Sequence, residues 1–328
     1  MRQAVVASES ARGLTSPNPP VGAVILDAHG EVAGVGATQP PPGPHAEVMA
    51  LRHAGARARG GTAGVTLEPC NHFGRTPPCA QTLVAAGITR VVYAASDPNP
   101  AASGGADYLR SHGVDVVAGL GRGAVEQGPL RAWLHRQRTG RAHVTWKTAT
   151  SLDGRIAAAD GTSRWITGAD ARAQVHRERA KLDAIIVGTG TVIADDPWLT
   201  AREPDGSLAA RQPLRVVVGT REIPGTARVL DDAAETLLLR THDPIEVVDA
   251  LADHPDVLLE GGAVLAGAFL QAGMVDRIVA YLAPVVLGGG QSAVVDAGVS
   301  TIAEAHRFVR ESVETVGPDV RLSFVPAR

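Results

Sequence analysis

The chain contains two cysteines, Cys70 and Cys79, and both fall in one short segment, EPCNHFGRTPPC, running from Glu68 to Cys79. Three readings compete. Free cysteines are often simply buried. A disulfide is disfavoured in a long chain with two cysteines that otherwise reads as belonging to a reducing compartment. The third reading makes them metal ligands, which requires at least one further donor. The segment PHAEVMAL offers it: His45 falls in the first turn of a predicted helix, with Glu47 two residues on. Cys70 follows a strand and a proline, and Cys79 opens a helix after Pro77 and Pro78. A helix N-terminus stabilises a thiolate through its unpaired N–H groups and its dipole. One imidazole and two thiolates form a borderline-soft set suited to Zn2+. Three protein ligands leave a fourth position for water, as catalytic zinc sites do. Zinc lowers the pKa of such a water to about 7, and Glu47 stands where it can carry the proton.

The order His-x-Glu, then Pro-Cys and a second Cys, is the signature of zinc deaminases acting on nucleobases. The usual second half is Pro-Cys-x-x-Cys, whereas here NHFGRTPP separates the two cysteines. Together with SPNPPVGAVI near the start, this resembles the deaminase half of the bifunctional deaminase–reductases of riboflavin biosynthesis. That family carries Pro-Cys-x-His-x-Gly-Lys/Arg-Thr-Pro-Pro-Cys and an early Pro-Asn-Pro-x-Val-Gly. The resemblance implies a cytidine-deaminase-like three-layer domain whose substrate is a phosphoribosyl pyrimidine. It implies substrate contacts from Asn18, His72 and Arg75, the last near a phosphate. From the residues alone Arg75 is an exposed loop cation, and His72 is open between a supporting role and plain surface. Two features depart from the family. It often has a histidine seven residues before the zinc histidine, where this chain has Thr38, and Met1 would fall inside the family's first helix.

The second half of the chain lacks a GxGxxG fingerprint and a Walker A loop. GTGT after DAIIV is weak by itself. LEGGAVLAGAF is better, a strand followed by Glu260, Gly261, Gly262 and a helix, and VVLGGG adds another flexible turn. Glycines at a strand-to-helix junction let backbone N–H groups approach a phosphate, but plain loop geometry explains them equally well. The resemblance continues through WKTATSLDGRIA, SRWITG, VGTGTVIADDPWLTAR and LEGGAVLAGAFLQAGMVDRI, so it covers essentially the whole chain. It implies a dihydrofolate-reductase-like domain that binds NADPH without the Rossmann fingerprint. It implies substrate contacts from Lys147, Ser163, Arg179, Leu199, Arg202 and Glu260. It implies NADPH contacts from Ala149, Trp165, Thr191, Asp195 and the run Gly262, Ala263, Val264, Leu265, Ala266, Gly267 and Ala268. Arg179 and Arg202 have the chemistry to grip a phosphate bidentately. Asp196, before Pro197, also reads as a helix-ending turn, and Trp165 as either core or a ring that stacks on the cofactor.

The elements that must position these residues read as an α/β pattern. VGAVILD and EVAGVGA form a strand pair across the turn at His29–Gly30, and HAEVMALRHAGARA has helical spacing. GVTLE, RVVYAA and VDVVAG are strands separated by the helices CAQTLVAAG and GADYLRSHG, and AVEQGPLRAWLHRQRT is mostly helix. A second series follows: HVTWKTATS, DAIIVGTGT, LRVVVGT, ETLLLRT, DVLLEGG, VDRIVAYLAPVVLGGG and RLSFVP, with GADARAQVHRERAK and AVLAGAFLQAG as helices between. Alternating strands and helices indicate layered α/β domains. The boundary falls at residues 140–143, giving a deaminase domain over 1–141 and a reductase domain over 142–328. The net charge of −3 and the lack of a Lys/Arg run exclude a nucleic-acid footprint. No apolar run reaches the ~20 residues of a membrane span, and no signal peptide is evident. A cytoplasmic enzyme is expected, with Zn2+ and NADPH as cofactors and, from the resemblance, a homo-oligomeric state of a dimer or larger. Two other classes compete with this reading. A deaminase of bases in RNA or DNA would carry a basic surface and the shorter cysteine spacing; a non-catalytic metal- and nucleotide-binding module would have no use for Glu47.

Overall fold

The computed structural model describes residues 1–73 and 77–327. It divides into two compact units, Met1–Arg141 and Ala142–Arg328. Among the described residues, no helix is long and apolar enough to cross a membrane.

The first unit runs α1 (Arg2–Ala11), β1 (Gly22–Leu26), β2 (Val32–Ala37), α2 (Ala46–Ala54), β3 (Thr62–Leu67), α3 (Cys79–Ala85), β4 (Arg90–Ala95), α4 (Gly105–Ser111), β5 (Asp115–Ala118), α5 (Arg122–Gln127) and α6 (Arg131–Thr139). Its sheet has the order β2-β1-β3-β4-β5. β1 runs antiparallel to β2 and β3, whereas β3, β4 and β5 are parallel. β1 and β3 are buried along nearly their whole length, the mark of strands covered on both faces. Ile25, Val65, Leu83, Val91 and Leu109 belong to one core. Gly36 on β2 is what lets α2 sit so close, since a Cβ there would overlap the Ala46 carbonyl and the Ala50 amide. α2 is shorter than its periodicity suggests, because Gly55 turns it into a 3-10 segment. The long helical stretch 124–139 breaks at Gly128–Leu130 into α5 and α6.

The second unit runs β6 (His143–Thr150), α7 (Ala169–Arg179), β7 (Ala184–Gly188), α8 (Thr189–Asp195), β8 (Leu214–Val218), β9 (Thr236–Leu239), α9 (Pro244–Asp249), β10 (Asp256–Leu259), α10 (Ala263–Gln271), β11 (Arg277–Leu282), β12 (Phe308–Val316) and β13 (Asp319–Pro326). The sheet order is β12-β13-β11-β6-β10-β7-β8-β9. All neighbours from β11 to β9 pair in parallel, and β13 adds antiparallel to β11. Strand alternation sends Ile186, Val216 and Leu259 to one face and Ile185, Val217 and Leu258 to the other, into separate apolar clusters. The parallel strands end together on one edge, where such sheets hold ligands. There, GTGT is not a loop but the start of α8. β12, an edge strand with Arg310, Glu311 and Glu314 along it, has no apolar alternation to mark it in the sequence.

One buried cation ties together the segments around the start of β8. Arg215 on β8 is fully buried. It donates to Asp231 Oδ1 at 2.7 Å, to Thr236 Oγ1 at 2.9 Å, to the Trp198 carbonyl at 3.4 Å and to the Asp231 and Ala234 carbonyls. Arg215→Met keeps the side chain's length but orphans these acceptors. It should lower the stability of the second unit by about 3 kcal/mol, read from chemical denaturation followed by tryptophan fluorescence. An unchanged midpoint would refute the structural role given to this cation.

Candidate metal centre and cofactor cavity

His45 stands one residue outside the helix, as the extended N-cap of α2, and Glu47 lies buried in the first turn. Cys79 is the first residue of α3, and Cys70 follows β3. His45 Nδ1 lies 3.6 Å from Cys70 Sγ and 3.3 Å from Cys79 Sγ, and the Cys79 amide approaches Cys70 Sγ at 3.4 Å. The three donor atoms lie within 4.8 Å of one another, and neither cysteine is in a disulfide. These separations are those a tetrahedral Zn2+ with bonds of ~2.0–2.3 Å imposes on its ligands, so the donor set fits the metal. Burial and the nearby Cys70 sulfur push the Glu47 carboxyl up to about 7. A hydrogen bond between the sulfurs holds the Cys70 thiol well below its usual range. Two thiols this close cannot both ionise without a cation between them.

Asn18 and His72, also expected at this site, both lie outside the helices and strands. Asn18 has an exposed side chain in a turn closed by its amide on the Thr15 carbonyl at 2.8 Å. His72 is exposed two residues after Cys70. Arg75 lies outside the described residues. Thr38 is buried, and its hydroxyl accepts from the Val21 amide at 3.2 Å. At the position often held by histidine in the family, this side chain serves the backbone.

In the second unit a cavity of about 660 Å3 gathers Lys147, Ser163, Trp165, Arg179, Thr191, Asp195, Leu199, Arg202 and Glu260 among its walls. Glu260 anchors it. Arg179 donates Nε and Nη2 to its two oxygens at 2.8 Å each, and Lys147 Nζ lies 3.7 Å away. Burial alone would raise the Glu260 carboxyl, but the Arg179 and Lys147 charges outweigh it and hold the group at about 2. Arg179 also donates Nη1 to the Thr200 carbonyl at 3.1 Å. Of its five N–H groups, the edge suited to a bidentate grip is therefore engaged with Glu260. Among the described partners, one N–H on each terminal nitrogen is left for an anion.

Trp165 is 69% exposed, which rules out a place in the core. The Arg172 guanidinium lies 4.4 Å from its ring centroid. α8 ends at Asp195, and Asp196 makes the turn in a left-handed conformation. Leu199 is also left-handed although its side chain is buried. Thr191 Oγ1 accepts from the Gly262 amide at 3.2 Å, linking α8 to the N-cap of α10. Ala149 is not itself a wall residue but packs with Ala171 and Tyr281, which are, and with Val279. The expected run 262–268 covers the N-cap and the first turns of α10. Ala266 and Gly267 are buried, the Ala266 amide is spent on the Gly262 carbonyl, and the following amides lie inside the helix. With the Gly262 amide donated to Thr191, the amides left open at the start of α10 are those of Ala263, Val264 and Leu265.

Among the wall residues that sequence reasoning does not single out are Arg172, Trp198 and Arg228. The Arg202 and Arg228 guanidiniums lie 5.1 and 4.1 Å from the Trp198 ring centroid, and Arg228 pairs with Asp196 at 3.2 Å. Trp198 stands inside the motif DDPWLTAR and was legible there. Arg228 carries no local signal, since only the fold brings it to Asp196.

A family model described as the RibD C-terminal domain matches residues 142–322. Another, the cytidine and deoxycytidylate deaminase zinc-binding region, matches residues 1–95. The riboflavin biosynthesis protein RibD of Mycobacterium tuberculosis is 58% identical over 325 residues, covering 99% of this chain and 96% of that protein. The chain belongs to the RibD family. RibD of Escherichia coli is 40% identical, covering 100% of this chain and 98% of the relative. The crystal structure of a diaminohydroxyphosphoribosylaminopyrimidine deaminase/5-amino-6-(5-phosphoribosylamino)uracil reductase from Thermotoga maritima is 30% identical. It superposes with a TM-score of 0.90, covering 100% of this chain and 97% of that one. Acinetobacter baumannii RibD gives a TM-score of 0.86 at 37% identity, covering 100% and 98%. The folds are accordingly cytidine-deaminase-like and dihydrofolate-reductase-like. The chain is a bifunctional deaminase and reductase of riboflavin biosynthesis that uses zinc and NADPH.

The Glu260 cluster sets a pH signature. Its carboxyl is depressed from an ordinary 4.5 to about 2, so the unfolded chain takes up the proton first. The stabilisation is complete above 4.5 and is lost as pH falls from there toward 2. Glu260→Gln should be less stable than wild type at neutral pH, and the gap should close on acidification. Urea denaturation across that range checks this, and parallel pH dependences would contradict it.

Proposed function

We propose that the first unit hydrolyses the 2-amino group from 2,5-diamino-6-ribosylamino-4(3H)-pyrimidinone 5′-phosphate, releasing ammonia. The second unit then reduces the ribosyl group to give 5-amino-6-(5-phosphoribitylamino)uracil. The observation that carries this reading is the convergence of His45, Cys70 and Cys79 beside the buried Glu47, in a chain that also holds a cation-lined cavity around Glu260. Bound zinc would make water acidic enough to attack at neutral pH. Glu47 takes the proton from that water and delivers it to the departing nitrogen, and its burial keeps the transfer out of bulk solvent. Asn18, His72 and Arg75 orient the pyrimidine and its phosphate.

In the second unit NADPH supplies the hydride, which goes to C1′ of the sugar presented as an aldehyde or imine. Lys147, Ser163, Arg179, Leu199, Arg202 and Glu260 hold the phosphorylated sugar. Ala149, Trp165, Thr191, Asp195 and the stretch from Gly262 to Ala268 hold the cofactor, with the first turn of α10 offering its unpaired amides. Arg202 supports the phosphate end best, because it faces the cavity and no carboxylate pairs with it among the described residues. The two free thiols and a phosphorylated substrate suit the cytoplasm, and the resemblance suggests a homo-oligomer. A deaminase of bases in nucleic acid is disfavoured by the net charge of −3 and by the long insert between the cysteines.

The test separates the two halves. Glu47→Gln should lower ammonia release by about 100-fold or more while still binding zinc and still oxidising NADPH on supplied deaminated product. Lys147→Ala should do the reverse. Chelation should abolish ammonia release and added zinc restore it. A wild-type protein that holds zinc yet releases no ammonia from the diaminopyrimidinone would refute the deaminase assignment.

A further inference from the structure

Two of the three metal donors are fixed by helices: His45 caps α2, and Cys79 opens α3. Cys70 lies in the irregular stretch after β3, so its position depends on what packs against that stretch. Part of the support is α3, whose Ala80 amide donates to the Cys70 carbonyl at 3.1 Å. The rest comes from the segment 96–106, to which the proposed reaction gives no role. The Ala102 carbonyl accepts from the Asn71 amide at 3.1 Å, and Ala102 packs with both cysteines. The segment is braced internally by Asn99, whose amide binds Asp97 Oδ1 at 2.9 Å and whose Oδ1 accepts from the Ala101 amide at 3.1 Å.

α4 closes this support from behind. Glu68 Oε1 accepts from the Ala106 amide at 3.1 Å, placing a carboxylate on the first turn of the helix. At Gly105 the helix backbone lies directly on the Pro69 carbonyl, so close that a Cβ would overlap that oxygen. We propose that Glu68 and Gly105 are positioning residues of the metal centre: they seat α4 against the Pro69–Cys70 peptide and so set the direction in which Cys70 Sγ is presented. A side chain at Gly105 forces Pro69 and α4 apart. Ala102 then retreats from Asn71, and the Cys70 sulfur leaves its place beside His45 and Cys79. The inference rests on the reading of those three residues as zinc ligands.

The experiment uses the full chain and three variants: Gly105→Ala, Glu68→Ala and Glu68→Gln. Zinc affinity is measured by competition with a chromophoric chelator. The Co2+-substituted protein reports ligand geometry through its thiolate charge-transfer band, and reduction of supplied deaminated product serves as an internal control. Gly105→Ala and Glu68→Ala should bind zinc about 10–100-fold more weakly and perturb the Co2+ band, with reduction unchanged. Glu68→Gln, whose amide oxygen can still accept from Ala106, should stay close to wild type. If Gly105→Ala does not fold, the two Glu68 variants decide the matter. Variants that hold zinc as tightly as wild type with the same Co2+ band overturn the proposal, even where thermal stability has dropped. A wild-type chain that binds no zinc overturns the ligand reading and this inference together.

Discussion

Two sulfurs and a buried carboxyl, crowded beside an imidazole in one pocket, repel one another as soon as they lose their protons. Only a cation makes that arrangement favourable, and the first unit is arranged to hold it open for one. The donors come from three separate backbone segments, so the geometry cannot be met by a local turn. It requires α2 pressed onto β2 through Gly36, α3 beginning at Cys79, and the end of β3 held in place by its neighbours. The core of small aliphatic residues serves this requirement, because Ala46, Ala50 and Ala80 allow backbones to approach where larger side chains would hold them apart.

The second unit applies the same electrostatic logic with the sign reversed. Glu260 is a buried anion between two cations, Lys147 and Arg179, and the surplus is positive. Arg202 adds to that surplus, while Arg228 is balanced by Asp196. The metal pocket is therefore short of positive charge and the cavity around Glu260 short of negative charge. The first has an evident affinity for a divalent metal, the second for phosphorylated molecules. This division of charge, more than either fold, makes the two sites chemically distinct within one chain.

What could be read in the sequence followed from how local each requirement is. His45 and Glu47 stand two residues apart, and the cysteines share a segment whose spacing is itself informative. Strands such as Ala184–Gly188 announce themselves by uninterrupted apolar residues. Arg215 and Arg228 were illegible because their meaning lies in partners far along the chain, and a lone arginine on an apparent strand reads as surface. β12 was missed because an edge strand has no buried face to impose alternation. The cofactor run Gly262–Ala268 comes from resemblance, which names a stretch of residues, whereas helix geometry leaves only the amides of its first turn open.

Asp196 and Leu199 bracket Pro197 and Trp198 with two left-handed backbones, neither of them glycine. Such a conformation costs an ordinary residue roughly 1 kcal/mol or more. Glycine would relieve that strain at either position, but the replacements are not equivalent. At Asp196 glycine would give up the carboxylate that meets Arg228; at Leu199 it would empty a place in the apolar cluster. Over evolutionary drift, backbone comfort and side-chain contacts therefore pull these two positions in opposite directions. Their variation among relatives should be narrower than their loop setting suggests, with asparagine the tolerated exchange at the first and large aliphatic residues at the second.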